Sequence, residues 1–271
     1  ILMATLLAPG RHRLTNVPEL VDVSTTLSLL GRIGCPSLVS PGTVQLDTTR
    51  ISFSEAPYDL VRKMRASILV LGPILARCGE ARVSQPGGCA IGTRPVDLHL
   101  KGLQELGAEI TLDGGYIEAR APKGLVGGQV VFPFVSVGAT ENLMMAAALA
   151  NGRTTLLNAA REPEVQDLGQ CLIAMGAQIQ GIGSDTITID GVEALHGAAH
   201  MVLPDRIETG TFAVAAAITG GEVELLGAEL NHIESFVDVM KAAGVSIEPT
   251  IAGVYVAAEV GQVAGVDAMT E

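Results

Sequence analysis

A helix, a glycine and a strand follow one another four times along this chain. Gly34, Gly107, Gly176 and Gly244 mark the repeats, at spacings of 73, 69 and 68 residues. Glycine directly after a helix adopts the left-handed backbone that lets the chain turn into a strand. A regular spacing of this length indicates one repeated supersecondary unit, which constrains the fold more than any other feature of the sequence.

Each repeat also contains a helix that is apolar on nearly every side, at residues 66–75, 143–150 and 212–218. Such a helix is expected to be buried on all sides. The strands alternate instead, as at residues 186–190 and 222–225, which is typical of a sheet with one wet face. We therefore predict an α/β fold of β-α-β-α-β-β repeats in which the helices are buried and the sheets lie outside.

The repeats suggest two domains, because three of them end near His200 and a fourth begins at Met201. We predict a nearly complete three-repeat domain at residues 1–203, which carries the glycine-rich loop described below. Residues 204–271 are predicted to form one repeat of a second, truncated domain. The chain begins within an apolar helical segment and ends after a strand pair, which favours a fragment. An ordinary helix at a native N-terminus is the alternative.

Composition excludes some classes of partner. The formal net charge is −12, with 17 Lys and Arg against 29 Asp and Glu, so nucleic acid is not expected as the main partner. No apolar run reaches the length of a membrane span without interruption, so no membrane partner is expected. With 32 glycines, 3% aromatic residues and no tryptophan, we predict a core of small residues in which helices approach one another closely.

The cysteines and histidines indicate neither disulfides nor a metal site. Cys35, Cys78 and Cys171 lie in or beside apolar helices, so we interpret them as structural, and the wide cysteine spacing fits a reducing cytoplasm. The histidines have no metal-like spacing, and we predict no metal and no cofactor. His99 is expected to be bonded to the backbone rather than to act as a proton shuttle.

The candidate site is a glycine-rich loop, Ser84–His99. It joins a short strand, Glu80–Ser84, to a helix predicted to begin at Pro95, and it holds three glycines and Cys89. Unpaired N–H groups and the positive end of the helix dipole meet there, which is an anion-binding arrangement. A thiol at this point is a candidate reactive group, although a lone cysteine in a tight turn is more commonly a small hydrophobe.

The loop and four other stretches resemble the enolpyruvyl transferases, and in particular the branch that acts on UDP-N-acetylglucosamine. The matching residues are 56–67, 86–99, 135–142, 158–164 and 203–211. The resemblance covers essentially the whole chain. It implies that family's inside-out α/β barrel fold, in which two domains contain three repeats each.

The resemblance also implies a reaction and its partners. The enolpyruvyl group of phosphoenolpyruvate would pass to the 3-hydroxyl of UDP-N-acetylglucosamine with release of phosphate, the first committed step of peptidoglycan synthesis. This chemistry needs an acid for C3, a base for the hydroxyl and cations for the carboxylate and phosphate. The implied partners are therefore two small-molecule substrates.

The resemblance assigns roles to individual residues. Cys89 would be the general acid, able to form a covalent adduct with phosphoenolpyruvate, and Arg65 and Arg94 would bind anions. The residues implied at the UDP-sugar are Arg94, Pro95, Val96, Asp97 and Leu98 in the loop, and Phe134, Val135, Ser136, Val137 and Gly138 at the start of the next buried helix. Four further residues fall in family motifs, namely Glu162, Glu164, Asp205 and Arg206.

Several points depart from the family or remain open. Some family members have Lys where this chain has Phe134. Neither the Lys-Asn pair that helps bind phosphoenolpyruvate nor the second-domain carboxylate that acts on the sugar hydroxyl is found in this sequence, so we expect little or no turnover by the chain alone. For Asp205 and Arg206, a helix cap and ion pair is an alternative to ligand contact.

Two other functions are considered for the whole chain. One is a UDP-sugar-binding module without catalysis. The other is a sister transferase acting on shikimate 3-phosphate, whose branch shares the fold. The loop cysteine argues against that branch, which does not use one.

Overall fold

Three four-stranded sheets with the same internal order make up most of the structure. The computed structural model describes residues 1–52, 55–56, 65–85, 96–259, 261 and 263–268. The chain divides into two units, Ile1–Val202 and Leu203–Glu271.

The first unit contains 12 strands and five α-helices among its described residues. The strands are β1 (Arg11–Thr15), β2 (Ser37–Ser40), β3 (Thr43–Asp47), β4 (Glu55–Ala56), β5 (Glu80–Ser84), β6 (Glu109–Asp113), β7 (Tyr116–Arg120), β8 (Gln129–Val131), β9 (Arg153–Leu157), β10 (Gln178–Gln180), β11 (Thr186–Asp190) and β12 (Ala199–Met201). The α-helices are α1 (Val21–Ile33), α2 (Leu71–Cys78), α3 (Asp97–Glu105), α4 (Val137–Ala147) and α5 (Pro163–Ala174), with 3₁₀ turns at Ala4–Leu7 and Arg65–Val70.

The three sheets have equivalent strand orders, β12-β1-β3-β2, β4-β5-β7-β6 and β8-β9-β11-β10. In each, the first pair is parallel and the other two pairs are antiparallel. The first sheet takes its leading strand from the end of the unit, since β12 pairs with β1 in the register Arg13↔Ala199. The first and last strands of this unit are therefore paired in one sheet.

The apolar helices lie inside these sheets, as predicted. In α4 the residues Leu143–Ala147 are at most 1% exposed, whereas strands such as β9 and β11 have one buried and one more exposed face. The other helix predicted to lie inside this unit, residues 66–75, is not one α-helix. Arg65–Val70 is a 3₁₀ turn, and α2 begins at Leu71.

The prediction of close helix approach is confirmed at two glycines. A Cβ atom on Gly72 of α2 would overlap Asn142 of α4, and one on Gly102 of α3 would overlap the side chain of Leu143. Both α2 and α3 thus contact α4 at positions that no larger residue fits without displacement. The inner helix α4 is held between them.

All four predicted helix-terminating glycines are confirmed. Gly34, Gly107, Gly176 and Gly244 have φ between 86° and 104°. Each donates its N–H to the carbonyl three residues back, and the next residue donates to the carbonyl five residues before itself. These paired hydrogen bonds form the Schellman motif, which satisfies carbonyls that a helix end leaves open.

The second unit contains one sheet and one pair of α-helices among its described residues. They are α6 (Arg206–Thr219), β13 (Glu222–Leu226), a 3₁₀ turn (Leu230–His232), α7 (Glu234–Ala242), β14 (Ser246–Pro249) and β15 (Gly253–Ala257), and the sheet order is β13-β15-β14. Its core consists of ten buried residues, among them Val237, Met240 and Val256.

The prediction that residues 212–218 are buried on every face is wrong. Of the α6 side chains, Phe212 is 53% exposed and Ile218 is 79% exposed, while Ala213 and Ala217 are buried. Within its own unit α6 packs on a single sheet, which covers only one side of the helix. No helix of the described chain is both long and apolar enough to cross a membrane.

Candidate active site

The described structure includes both ends of the glycine-rich loop. Strand β5 ends at the buried Ser84, and the N–H of Gln85 donates to the carbonyl of Gly115 at 2.8 Å. The following helix, α3, begins at Asp97 with Val96 as its N-cap residue, not at Pro95 as predicted. Our predictions for Cys89, Arg94, Pro95 and the side chain of Arg65 lie outside the described residues.

The predicted ligand residues at the start of α3 are partly enclosed. Val96 and Asp97 are half-buried and Leu98 is buried. The carboxylate oxygen Oδ1 of Asp97 is buried and has no hydrogen-bond partner in the part of the chain that the structure describes. A buried carboxylate oxygen destabilises the folded state unless a hydrogen-bond donor reaches it.

The start of α4 has the geometry of an anion site. Ser136 is the N-cap residue, and its Oγ accepts a hydrogen bond from the N–H of Ala139 at 3.4 Å. Val137 and Gly138 form the first turn, where N–H groups have no acceptor within the helix and the helix dipole is positive. The preceding side chains, Phe134 and Val135, are exposed.

A buried amide connects this turn to α2 and α3. Asn142, on α4, accepts a hydrogen bond from the N–H of Gly72 at 2.9 Å, and its Nδ2 lies 3.0 Å from Nδ1 of His99. His99 is therefore bonded to a side chain. Our expectation of a backbone partner stays a prediction. Sequence reasoning did not single out Asn142. The available signal was a polar side chain in an otherwise apolar helix.

The start of α5 lies beside α4. The N–H of Ala160 donates to Oγ1 of Thr140 at 3.1 Å, which brings the segment before α5 against the first turns of α4. Burial raises the pKa of Glu141 to about 7, and the carboxylates of Glu164 and Glu162 act in the same direction. The predicted residues Glu162 and Glu164 therefore lie near α4.

The two remaining predicted residues belong to the second unit. Asp205 is the N-cap residue of α6, and its Oδ1 accepts from the N–H groups of Ile207 at 2.8 Å and Glu208 at 3.1 Å. The helix-cap interpretation of Asp205 is thus confirmed. Arg206 is the first residue of the helix.

The cysteines outside the loop differ from what a reactive thiol requires. Burial raises the pKa of Cys35 and of Cys171 to about 11, so neither thiol ionises near neutral pH. Cys78 is exposed at the end of α2, and partial desolvation raises its pKa as well. Within the described ranges, no group of three or more His, Cys, Asp or Glu side chains could hold a metal ion.

Solved structures share this architecture. An enolpyruvyl transferase from Streptomyces tendae, NikO, matches 96% of this chain and 62% of its own with a TM-score of 0.84 at 22% identity. An EPSP synthase from Acinetobacter baumannii matches 95% of this chain and 62% of its own with a TM-score of 0.70 at 21% identity. The chain has the enolpyruvyl transferase fold.

The family follows from the sequence. The family model described as EPSP synthase (3-phosphoshikimate 1-carboxyvinyltransferase) matches residues 1–268, and the chain belongs to this family.

Two relatives carry the name UDP-N-acetylglucosamine 1-carboxyvinyltransferase. The protein of Acidiphilium cryptum is 60% identical over 272 residues, and that of Rhodospirillum centenum is 57% identical over 282 residues. Both matches cover 100% of this chain, which spans 65% of each relative's length.

Proposed function

We propose that this chain is the larger part of an enolpyruvyl transferase that joins phosphoenolpyruvate to UDP-N-acetylglucosamine. The observation that carries the proposal is an identity of 57–60% across the whole chain to relatives named for that reaction. The enolpyruvyl group would pass to the 3-hydroxyl of the sugar, and phosphate would be released. The protein would then serve peptidoglycan synthesis in the cytoplasm, and with it cell shape and cell division.

In the proposed reaction Cys89 acts as the general acid. Addition of the sugar oxygen to C2 of phosphoenolpyruvate requires a proton at C3, and the double bond re-forms when phosphate leaves C2 and C3 loses a proton. The developing negative charge requires cations and oriented N–H groups. Arg65 and Arg94 would supply the cations, because a guanidinium can bind carboxylate or phosphate through two parallel hydrogen bonds.

The start of α4 is the proposed diphosphate site. The first-turn N–H groups of Val137 and Gly138 and the cap at Ser136 provide donors for an anion without a side-chain charge. Phe134 precedes this turn, so the site would bind diphosphate through backbone donors rather than through a lysine there. Val96, Asp97 and Leu98 would flank the nucleotide from α3. Glu162, Glu164, Asp205 and Arg206 remain proposed ligand contacts.

We further propose that residues 1–203 form the domain that carries the loop and that residues 204–271 form one repeat of a second domain. The equivalent strand orders of the three sheets support the first part. The 65% span of the relatives supports the second. Since an active cleft would need both domains, the chain alone is expected to bind substrate but to turn it over poorly.

The proposal is tested through Cys89. A version of the chain extended to the length of the relatives is incubated with UDP-N-acetylglucosamine and fosfomycin, an epoxide that resembles phosphoenolpyruvate, and its intact mass is measured. We expect one covalent adduct that maps to Cys89 and is absent from Cys89→Ser. The matched control is Cys78→Ser, which removes an exposed thiol outside the loop and should still form the adduct. An adduct on other cysteines, or none, contradicts the role of Cys89.

A turnover assay distinguishes the proposed transferase from a shikimate 3-phosphate transferase and from a binding module. A version extended to the length of the relatives should release phosphate from phosphoenolpyruvate only when UDP-N-acetylglucosamine is present. The matching family model is that of 3-phosphoshikimate 1-carboxyvinyltransferase, which favours shikimate 3-phosphate as the second candidate acceptor. Phosphate release with shikimate 3-phosphate instead would replace our proposal by that one. Binding of the UDP-sugar with no turnover, unchanged in Cys89→Ser, would indicate a binding module.

A further inference from the structure

Asn142 is a fully buried polar residue on the apolar helix α4. Its side chain contacts three elements, since Oδ1 accepts from the N–H of Gly72 at 2.9 Å, and Nδ2 lies 3.4 Å from the carbonyl of Ile68 and 3.0 Å from Nδ1 of His99. A buried amide with every group bonded has one orientation. Asn142 is therefore a fixed donor and acceptor set.

These contacts determine which nitrogen of His99 carries the proton. The backbone N–H of Gly72 can only donate, so the oxygen of the Asn142 amide must face it. The amide nitrogen then faces Ile68 and His99 and donates to both. His99 Nδ1 must accept this hydrogen bond, so the proton of a neutral His99 lies on Nε2.

The Nε2 edge of His99 faces the first turn of α4. An ideal Cβ atom built on Gly138 would lie 3.4 Å from Cε1 and 3.6 Å from Nε2 of His99. Gly138 lies in the turn whose N–H groups form the proposed diphosphate site. A proton on Nε2 therefore puts a side-chain donor next to those backbone donors, whereas a proton on Nδ1 would put an acceptor there.

We propose that Asn142 is a positioning residue that holds His99 as an Nε2–H donor beside the first turn of α4, where it serves a phosphate-bearing ligand. The ligand part of this inference rests on the proposed function. The tautomer part rests on the hydrogen bonds of Asn142 alone. Asn142 itself lies behind His99 and acts through it.

The tautomer is measured by long-range ¹H–¹⁵N correlation spectra of the full chain labelled in histidine. We expect His99, assigned by its absence from His99→Gln, to have its proton on Nε2. In Asn142→Asp the carboxylate can only accept, so His99 should change to the Nδ1–H tautomer or to the imidazolium. His12, whose Nε2 lies 3.1 Å from Oγ1 of Thr48, is the internal reference and should not change.

Two results would overturn the tautomer assignment. One is an Nδ1–H tautomer in the wild-type protein, and the other is an Asn142→Asp spectrum in which His99 is unchanged. If Asn142→Asp does not fold, Asn142→Ala replaces it. That variant removes the donor to Nδ1, and we then expect a mixture of both neutral tautomers at His99, so an unchanged spectrum would count against the proposal in the same way.

The ligand part is tested by calorimetric titration with UDP-N-acetylglucosamine. A glutamine amide reaches the position of Nε2 and an asparagine amide that of Nδ1, so His99→Gln should bind within about threefold of the wild type. His99→Asn should bind roughly tenfold or more weakly, which is the effect of losing one hydrogen bond to a charged group. Asn142→Asp should bind as weakly at a pH where its spectrum shows the neutral Nδ1–H tautomer, because only an imidazolium would keep the Nε2–H donor. Equal binding by all four proteins would refute the ligand part.

The two proposals fail in different ways. If the wild-type chain does not bind UDP-N-acetylglucosamine, the proposed nucleotide-sugar site fails, and the ligand part of this inference fails with it. The histidine spectra still decide the tautomer in that case. If the wild type binds and the spectra contradict the tautomer, only the role of Asn142 is lost.

Discussion

The amide oxygen of Asn142 occupies the place where a side chain on Gly72 would have to lie. The N–H of Gly72 donates to that oxygen at 2.9 Å, and a Cβ on Gly72 would overlap it. We therefore expect Gly72→Ala to destabilise the chain by about 1–3 kcal/mol, through overpacking and a weakened buried hydrogen bond. Urea denaturation monitored by circular dichroism measures the change.

Gly31 provides the matched control for Gly72. It lies within α1, and a Cβ built on it meets nothing within 4 Å. Alanine restricts the unfolded chain and favours the helix, so Gly31→Ala should stabilise the protein by roughly 0.5–1 kcal/mol. Equal effects of the two substitutions would show that the contact with Asn142 does not determine the outcome.

We expect the free energy of unfolding to fall as the pH rises, because of the buried carboxyl group of Glu141. Burial raises its pKa in the folded chain from an ordinary 4.5 to about 7, with Glu164 and Glu162 adding to the shift. Between these values the folded state holds the proton more tightly than the unfolded state, so the free energy of unfolding decreases with pH and the loss is complete above about pH 7. The shift corresponds to at most ~3 kcal/mol, which partial exposure reduces to roughly 1–2 kcal/mol.

Glu141→Gln tests this pH dependence. The variant should match the wild type near pH 4 and exceed its stability at pH 8 by that roughly 1–2 kcal/mol, as measured by urea denaturation at a series of pH values. Glu19→Gln, at an exposed position before α1, should leave the dependence unchanged. A Glu141→Gln curve parallel to that of the wild type would contradict the prediction.

Substitutions of Asp205 distinguish a helix-capping role of this residue from a ligand contact. Because its carboxylate accepts from Ile207 and Glu208, Asp205→Ala should destabilise the second unit by about 1 kcal/mol, and Asp205→Asn should largely preserve stability. Thermal denaturation of each variant measures this. If Asp205→Asn instead weakens binding of UDP-N-acetylglucosamine while remaining stable, the residue has both roles. A stable Asp205→Ala would exclude the cap as its contribution.

The exposed face of α6 predicts which apolar substitutions this chain tolerates. Ile218 is 79% exposed, so Ile218→Ser should change the free energy of unfolding by no more than about 0.5 kcal/mol. Changing Val237, in the core of the same unit, to Ala should lower the free energy of unfolding by about 1–3 kcal/mol. A cost at Ile218 as large as at Val237 would show that α6 is covered in solution.

Much of the fold could be predicted from local patterns. The glycines at 34, 107, 176 and 244 end their helices as expected, because a left-handed residue is a local requirement that glycine meets at little cost. The alternating strands and the apolar α4 also follow from periodicity. Only part of the candidate site can be compared with the sequence predictions. The sequence pointed to the starts of α3 and α4, which the structure describes, while the roles of Cys89, Arg65 and Arg94 stay predictions.

The sequence by itself determined the repeat, the ends of its helices and the faces that turn inward, because each depends on residues within a few positions of one another. Tertiary structure decided what depends on distant partners. The pairing of β1 with β12 joins Arg13 to Ala199, and the exposure of α6 follows from what its unit places against it. The tautomer of His99 was likewise set by Asn142, 43 residues away, because a side-chain partner across packed helices leaves no periodic signal in the chain.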